Sequence, residues 1–212
     1  MDEFSQIRLD TASAALSVVE GSRVREWWAE PSSLSGMTVG ALAGHLIYSG
    51  ILQAEQGFVV VGPAGQPITA AKMYSWVPLD GDSPIHDGVR AVAEEQVVDG
   101  REDLIERGRA SWKRSEVVLA EASRDRIVAH PVAPMFPITL REFLLTRILE
   151  LVVHVDDLAH SVGERDLGVD RRAIDIACHL GIDINAERYG SAAVLRSLFR
   201  RDRNSLDALR TF

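Results

Sequence analysis

A chain of 212 residues is long enough to bury one self-sufficient core, and its 46% hydrophobic and 25% charged residues place it with soluble globular proteins rather than disordered or fibrous ones. The net charge of −8 argues against general affinity for nucleic acid, whose phosphates need a basic surface. Cys178 is the single cysteine, so no internal disulfide forms; the opening MDEFSQIRLD lacks the basic and apolar regions of a secretory signal, and a reducing, cytoplasmic setting is expected.

Phe4, Ile7, Thr11, Ala14 and Val18 recur at three- and four-residue intervals. They predict an amphipathic first helix running toward Trp27 and Trp28, with Asp2, Glu3, Arg8 and Asp10 toward water. Pro31, Ser32 and Ser33 end it, and Thr38 is placed as N-cap of a second helix reaching about Phe58. Gly36, Gly40 and Gly44 near its start either let a neighbouring backbone come close or loosen the helix, at about 1 kcal/mol each relative to alanine. The 24 residues from Pro31 to Ala54 contain no Asp, Glu, Lys or Arg, a length sufficient to cross a bilayer. Gly36, Gly40, Gly44, Gly50, Ser49, Gln53 and His45 keep its hydrophobicity modest, so a buried helix is expected rather than a membrane span.

Residues 59–85, VVVGPAGQPITAAKMYSWVPLDGDSPI, are broken by glycines and prolines and read as a long crossover with room for a short strand or helix. Tyr74 and Trp76 within it either line a substrate pocket or pin the crossover to the helices. A third helix is expected from about Asp87 to Ala122, kinked or split at Gly100 and Gly108. SRDRIVAHPVAPMFPITL reads as a second loop, and the near-absence of two-residue alternation argues against a large sheet. Thr139 then caps a fourth helix extending toward Gly163. Beyond it, Arg171 to Gly190 reads as a helix with an apolar stripe of Ile174, Ala177, Cys178 and Gly181. Ala192 to Phe199 reads as another, and the basic end LFRRDRNSLDALRTF as solvated surface. The expected fold class is all-α: four helices and two long connections over residues 1–163, with residues 164–212 a short helical extension packed on the same domain.

The chemistry lies on the fourth helix. ILELVVHV, from Ile148 to Val155, is apolar except at Glu150 and His154, which a helix stacks on one face, one turn apart. A buried carboxylate without a partner costs several kcal/mol, so this pair calls for something that satisfies it. A divalent metal does so, and His45 on the second helix is the best third ligand. Two histidines and one carboxylate leave a coordination position open, as catalytic sites do and structural ones do not. Asp157, three residues after His154, is placed to orient a ligand imidazole. Spacing alone leaves other readings open: Glu150 paired with Arg147, His45 and His154 hydrogen-bonded in the core, and Asp157 an ordinary surface acid. His86, His130, His160 and His179 read as structural or solvated, and Cys178 as a small core residue. Nucleophile elbows, phosphate-cradling glycine loops and paired catalytic carboxylates are absent from the sequence.

With TVGALAGHL around His45 and LELVVHVDDLAHSVG around His154, the chain resembles the DinB/YfiT-like superfamily. Within it, the chain resembles the mycothiol-dependent maleylpyruvate isomerase family of the N-terminal-domain type. The resemblance covers most of the chain, and the ending AAVLRSLFRRDRNSLDALRTF is similar to tails in that family. It implies a four-helix bundle with long crossovers in which a divalent metal, usually zinc, is held by a histidine of the second helix and by a glutamate and a histidine of the fourth. Those roles fall on His45, Glu150 and His154, and Asp157 matches the aspartate of the family's H-x-x-D-L motif. The resemblance further implies mycothiol as a thiol co-substrate, activated as thiolate by the metal, and a small electrophilic substrate; a homodimer fits the family. The founding enzyme has a separate C-terminal domain that contributes to its active site, whereas Glu164 to Phe212 is a short tail. The expected activity is therefore a metal-dependent, mycothiol-using S-transferase or isomerase with a substrate of its own. Two other classes stay open, a metal-binding bundle without turnover and a metal-dependent hydrolase that activates water.

Overall fold

The computed structural model describes residues 1–79, 83–131, 133–165, 168–200 and 209. Helix α1 (Glu3–Glu20) begins where Asp2 accepts a hydrogen bond from the Ser5 amide at 3.2 Å, and a short α2 (Ser22–Glu26) follows. Thr38 caps α3 (Val39–Ile47) by accepting from the Ala41 amide at 3.0 Å. This helix passes through a π-helical turn, Tyr48–Leu52, into α4 (Gln53–Val59). The crossover carries the five-residue α5 (Ala70–Tyr74).

The third helix of the sequence reading is two helices, α6 (Pro84–Glu95) and α7 (Arg101–Glu121). Gly100 divides them with φ of 90°, a left-handed backbone that favours glycine. Gly108 sits inside α7 without breaking it.

The second expected loop is instead an antiparallel hairpin of β1 (Ile127–His130) and β2 (Ala133–Thr139), so the fold is mostly helical with a small two-stranded sheet. Ile127 faces Thr139 and Val128 faces Ile138, with an irregularity between Ala129 and His130. Prolines hid these strands, yet a proline is tolerated on an edge. The crossover straddles the hairpin, bridging Val61 to Val128 and Ile68 to Ile138.

Helix α8 (Leu140–Ser161) is capped by Thr139, which accepts from the Glu142 amide at 3.2 Å. It packs against α1, α3 and the π turn, and buries Phe143, Leu144, Ile148, Leu151, Val152, Val155 and Leu158. Helix α7 packs on α1, the π turn and α4. Helix α9 (Arg171–Tyr189) lies on α8 and α5, and α10 (Ser191–Phe199) lies on α9. The buried stripe of α9 is Ala173, Ala177, Leu180 and Ile184, and Cys178 is exposed, so the expected stripe is corrected by a rotation. The basic end beyond Arg200, apart from Leu209, lies outside the described residues. Among the described residues no helix is long and apolar enough to cross a membrane.

Arg8, read from sequence as facing water, is fully buried because α1 is covered by both α7 and α8. Its Nη2 donates to the Gly50 carbonyl at 2.9 Å, and the guanidinium lies 5.1 Å from the Phe58 ring centre. The Arg147 Nη1 donates to the adjacent Ser49 carbonyl at 2.7 Å. Two guanidinium groups thus satisfy consecutive carbonyls of the π turn. The early glycines make room for other neighbours than α8: a Cβ at Gly40 would lie 2.7 Å from the Trp28 indole, and one at Gly44 2.7 Å from the Ala93 carbonyl of α6. The close approach to α8 is at Gly50 and Gly57, whose Cβ would meet Leu151 Cδ2 at 2.4 Å and Phe143 Cζ at 2.3 Å.

The ring of Phe143 is rigid and fully buried, so Gly57→Ala should destabilise the protein by about 1–3 kcal/mol in urea unfolding despite alanine's helix propensity. Gly88→Ala, within α6 with nothing within 4 Å of the new methyl, should stabilise it by about 0.4–1 kcal/mol. Equal effects of the two substitutions would contradict this packing.

Candidate metal centre

Helix α8 presents Glu150 and His154 on one face, and α3 brings His45 against them. His45 Nε2 lies 3.1 Å from His154 Nε2 and 3.7 Å from Glu150 Oε2, and His154 Nε2 lies 3.4 Å from Glu150 Oε2. Two imidazole nitrogens and one carboxylate oxygen therefore face a common point, a group able to hold a metal ion. Ligand atoms at about 2.1 Å from a tetrahedral ion would be about 3.4 Å apart, so the three separations match such an ion without rearrangement. The side chains are 13%, 14% and 11% exposed for His45, Glu150 and His154, which leaves the cluster a narrow outlet to solvent.

Neighbouring groups orient two of the three side chains. His154 Nδ1 meets Asp157 Oδ2 at 2.9 Å, which holds a proton on Nδ1 and turns Nε2 into the cluster. Glu150 divides its oxygens: Oε2 faces the imidazoles, and Oε1 accepts from the Tyr74 hydroxyl. Arg147 meets Glu150 through that hydroxyl, donating to it from Nη2 at 3.3 Å, and the same Nη2 lies 3.2 Å from His130 Nε2. His130 consequently accepts on Nε2 and is neutral.

Burial decides most of the protonation states. It pushes His45 down to about 4, helped by the neighbouring His154, and His130 down to about 3, helped by Arg147. Burial also works against charge on His154, but its bonds to Asp157 and Glu150 prevail and raise it to about 9. Glu150 is likewise opposed by burial, and its bond to His154 and the charge of Arg147 hold it well below the carboxylate range. Burial and the Glu150 charge drive the Tyr74 hydroxyl up, so it remains a donor. At neutral pH and without an ion, the cluster is a His154 imidazolium and a Glu150 carboxylate beside a neutral His45.

Of the crossover aromatics, Tyr74 reaches the cluster. Trp76 is 49% exposed and packs at a 45° tilt on Phe136 of β2, 5.0 Å between ring centres. His86 is bonded to the Pro78 carbonyl at 3.1 Å, while His160 and His179 are exposed. His130 also takes part, although its proline-rich sequence context gives no sign of it. The hairpin carries it beneath Phe143 and onto Arg147.

A family model described as the mycothiol maleylpyruvate isomerase N-terminal domain matches residues 10–159. The chain belongs to that family. The matched stretch includes His45, Glu150, His154 and Asp157. No curated protein and no solved structure matches the chain.

The protonation states set a pH profile for the metal-free protein. His154 titrates above its ordinary 6.5, so its contribution to stability is complete below pH 6.5 and is lost as pH rises through about 9. His45 and His130 titrate below 6.5, so their contributions are lost as pH falls toward about 4 and about 3. Urea unfolding in chelator should give maximal stability near pH 6.5 with decline on both sides, and His154→Gln should flatten the alkaline side. A wild-type plateau up to pH 9 would contradict these assignments.

Proposed function

We propose that this chain is a metal-dependent, mycothiol-using S-transferase or isomerase acting on a small electrophilic substrate. The observation that carries the reading is the convergence of His45, Glu150 and His154 within the stretch matched by the family. Helix α1, the α3–α4 rod, α7 and α8 are read as a four-helix bundle of the DinB/YfiT type, with residues 1–163 as the metal-binding unit and 164–212 as an extension on it. Zinc is the best-suited ion, because it accepts imidazole nitrogen and carboxylate oxygen together in tetrahedral geometry and leaves a fourth position open.

When bound, such an ion would lower the pKa of a thiol at its open position, so that the thiolate forms at neutral pH. The protein's own groups do the rest. His45, Glu150 and His154 hold the ion, and Asp157 keeps the Nδ1 proton of His154 in place. Tyr74 occupies Oε1 of Glu150 so that Oε2 is offered to the cluster. The crossover with Tyr74 and Trp76 forms a wall of the substrate pocket, and a reducing cytoplasm keeps the co-substrate a thiol. The reaction class is addition of the thiol sulfur to an electrophilic carbon, followed by release of the adduct or by re-elimination of the thiol after bond rotation.

Protein purified without a histidine tag should hold about one divalent ion per chain, retained in His160→Ala and mostly lost in His45→Ala, Glu150→Ala and His154→Ala. The ion-loaded wild type should consume a conjugated cis-enone acid only when mycothiol is supplied. Equal metal in all variants refutes the ligand set. Metal without turnover of any electrophile refutes the enzyme in favour of a binding module, and turnover without thiol refutes the transferase or isomerase in favour of a hydrolase.

A further inference from the structure

Five residues are too few for a helix to hold its shape alone, and α5 is that short, yet it carries the tyrosine that contacts Glu150. Its position must come from its neighbours. At its start, the Ala70 amide donates to Glu142 Oε2 of α8 at 2.9 Å, and Ile68 bridges to Ile138 of β2. At its end, the last carbonyls of a helix lack helical partners and need donors from elsewhere. The Ala71 and Met73 carbonyls accept from the Ser75 and Trp76 amides, whereas the Tyr74 carbonyl, which also accepts from the Val77 amide at 3.0 Å, and the Ser75 and Val77 carbonyls just beyond it share one side chain. Arg188 of α9 donates from Nη2 to the Tyr74 carbonyl at 3.0 Å and the Val77 carbonyl at 2.8 Å, and from Nε to the Ser75 carbonyl at 3.3 Å. Beside it, Lys72 and Glu187 pair at 3.5 Å.

These contacts form a continuous line. Arg188 grips the backbone at residues 74–77, that backbone carries the Tyr74 ring, and the ring's hydroxyl donates to Glu150 Oε1. Arg188 touches none of the three candidate ligands, and it lies beyond residue 159, where the family match ends. We infer that Arg188 is a positioning residue of the metal centre: its grip on the end of α5 keeps the Tyr74 hydroxyl on Glu150, so that the carboxylate presents Oε2 to the ion. The inference rests on the metal-centre reading above. It gives the C-terminal extension a definite task, completing from outside a site whose ligands all lie within the matched stretch. The planar guanidinium fork suits this grip, because fixed donors can serve several carbonyls at once, whereas a lysine offers a single point charge.

The test is a double-mutant cycle on cobalt affinity, measured by competition with a chromophoric chelator on the full chain. Arg188→Ala and Tyr74→Phe should each weaken cobalt binding by about tenfold or more, the usual cost of losing a group that orients a ligand. Because both act through one hydroxyl, the doubly substituted chain should bind no more weakly than Tyr74→Phe alone. Arg188→Lys should fall between wild type and Arg188→Ala, with its circular dichroism unchanged. Unchanged affinity in Arg188→Ala, or losses that multiply in the double variant, would overturn the inference. A wild-type chain that takes up no cobalt instead fails the metal-centre reading. Hydrogen exchange of the metal-free protein then decides the grip itself: faster exchange confined to residues 70–77 in Arg188→Ala sustains it, and unchanged exchange overturns it.

Discussion

The Glu150 carboxylate sits on a helix walled by Phe143, Ile148, Leu151, Val152 and Val155, where a charge without partners would cost several kcal/mol. Most of what surrounds it can be understood as the compensation for that burial. His154 supplies a positive charge from one turn along the same helix, His45 supplies a second imidazole from α3, and Tyr74 supplies a hydroxyl from the crossover. The two oxygens are thereby given different tasks. One is tied by a neutral donor, and the other is left facing two nitrogens at separations suited to an ion.

Arg147 connects this cluster to the rest of the molecule. Its Nη1 holds the Ser49 carbonyl of the π turn just after His45, and its Nη2 reaches Tyr74 on the crossover and His130 on the hairpin. The π turn, the crossover and the hairpin therefore meet α8 at one guanidinium. Arg8 acts on the neighbouring Gly50 carbonyl, and among the described residues its Nε and Nη1 have no hydrogen-bond partner. Burial and the like charge of Arg147 push Arg8 down to about 9. Such a pair is costly, and it secures a turn whose widened geometry a regular helix would not keep.

Where the signal is a short spacing or a cap, the sequence is legible, whereas the apolar period of α9 finds the helix but misplaces its buried face. The i, i+4 pair of Glu150 and His154 survived translation into structure because a helix fixes their mutual position, and the caps at Thr38 and Thr139 are local chemistry. The partners of the cluster were less legible because they depend on tertiary packing. His130 lies on a strand concealed by prolines, and Arg8 looked solvated because one helix's pattern does not reveal that two neighbours will cover its other face. Gly40 and Gly44 indicated close packing, but not that the neighbours would be Trp28 and α6. The short α5 owes its place to Glu142 and Arg188, which are 72 and 114 positions from the residues they hold.

We propose that His45, Glu150 and His154 together hold one divalent ion. Anomalous diffraction from a crystal grown with zinc tests it most directly. The arrangement predicts a peak at about 2.0–2.2 Å from the Nε2 atoms of both histidines and from Glu150 Oε2. No peak among these three side chains, or strong peaks only at surface carboxylates, would contradict it, and the cluster would then be an ion pair within α8 to which His45 of α3 is hydrogen-bonded.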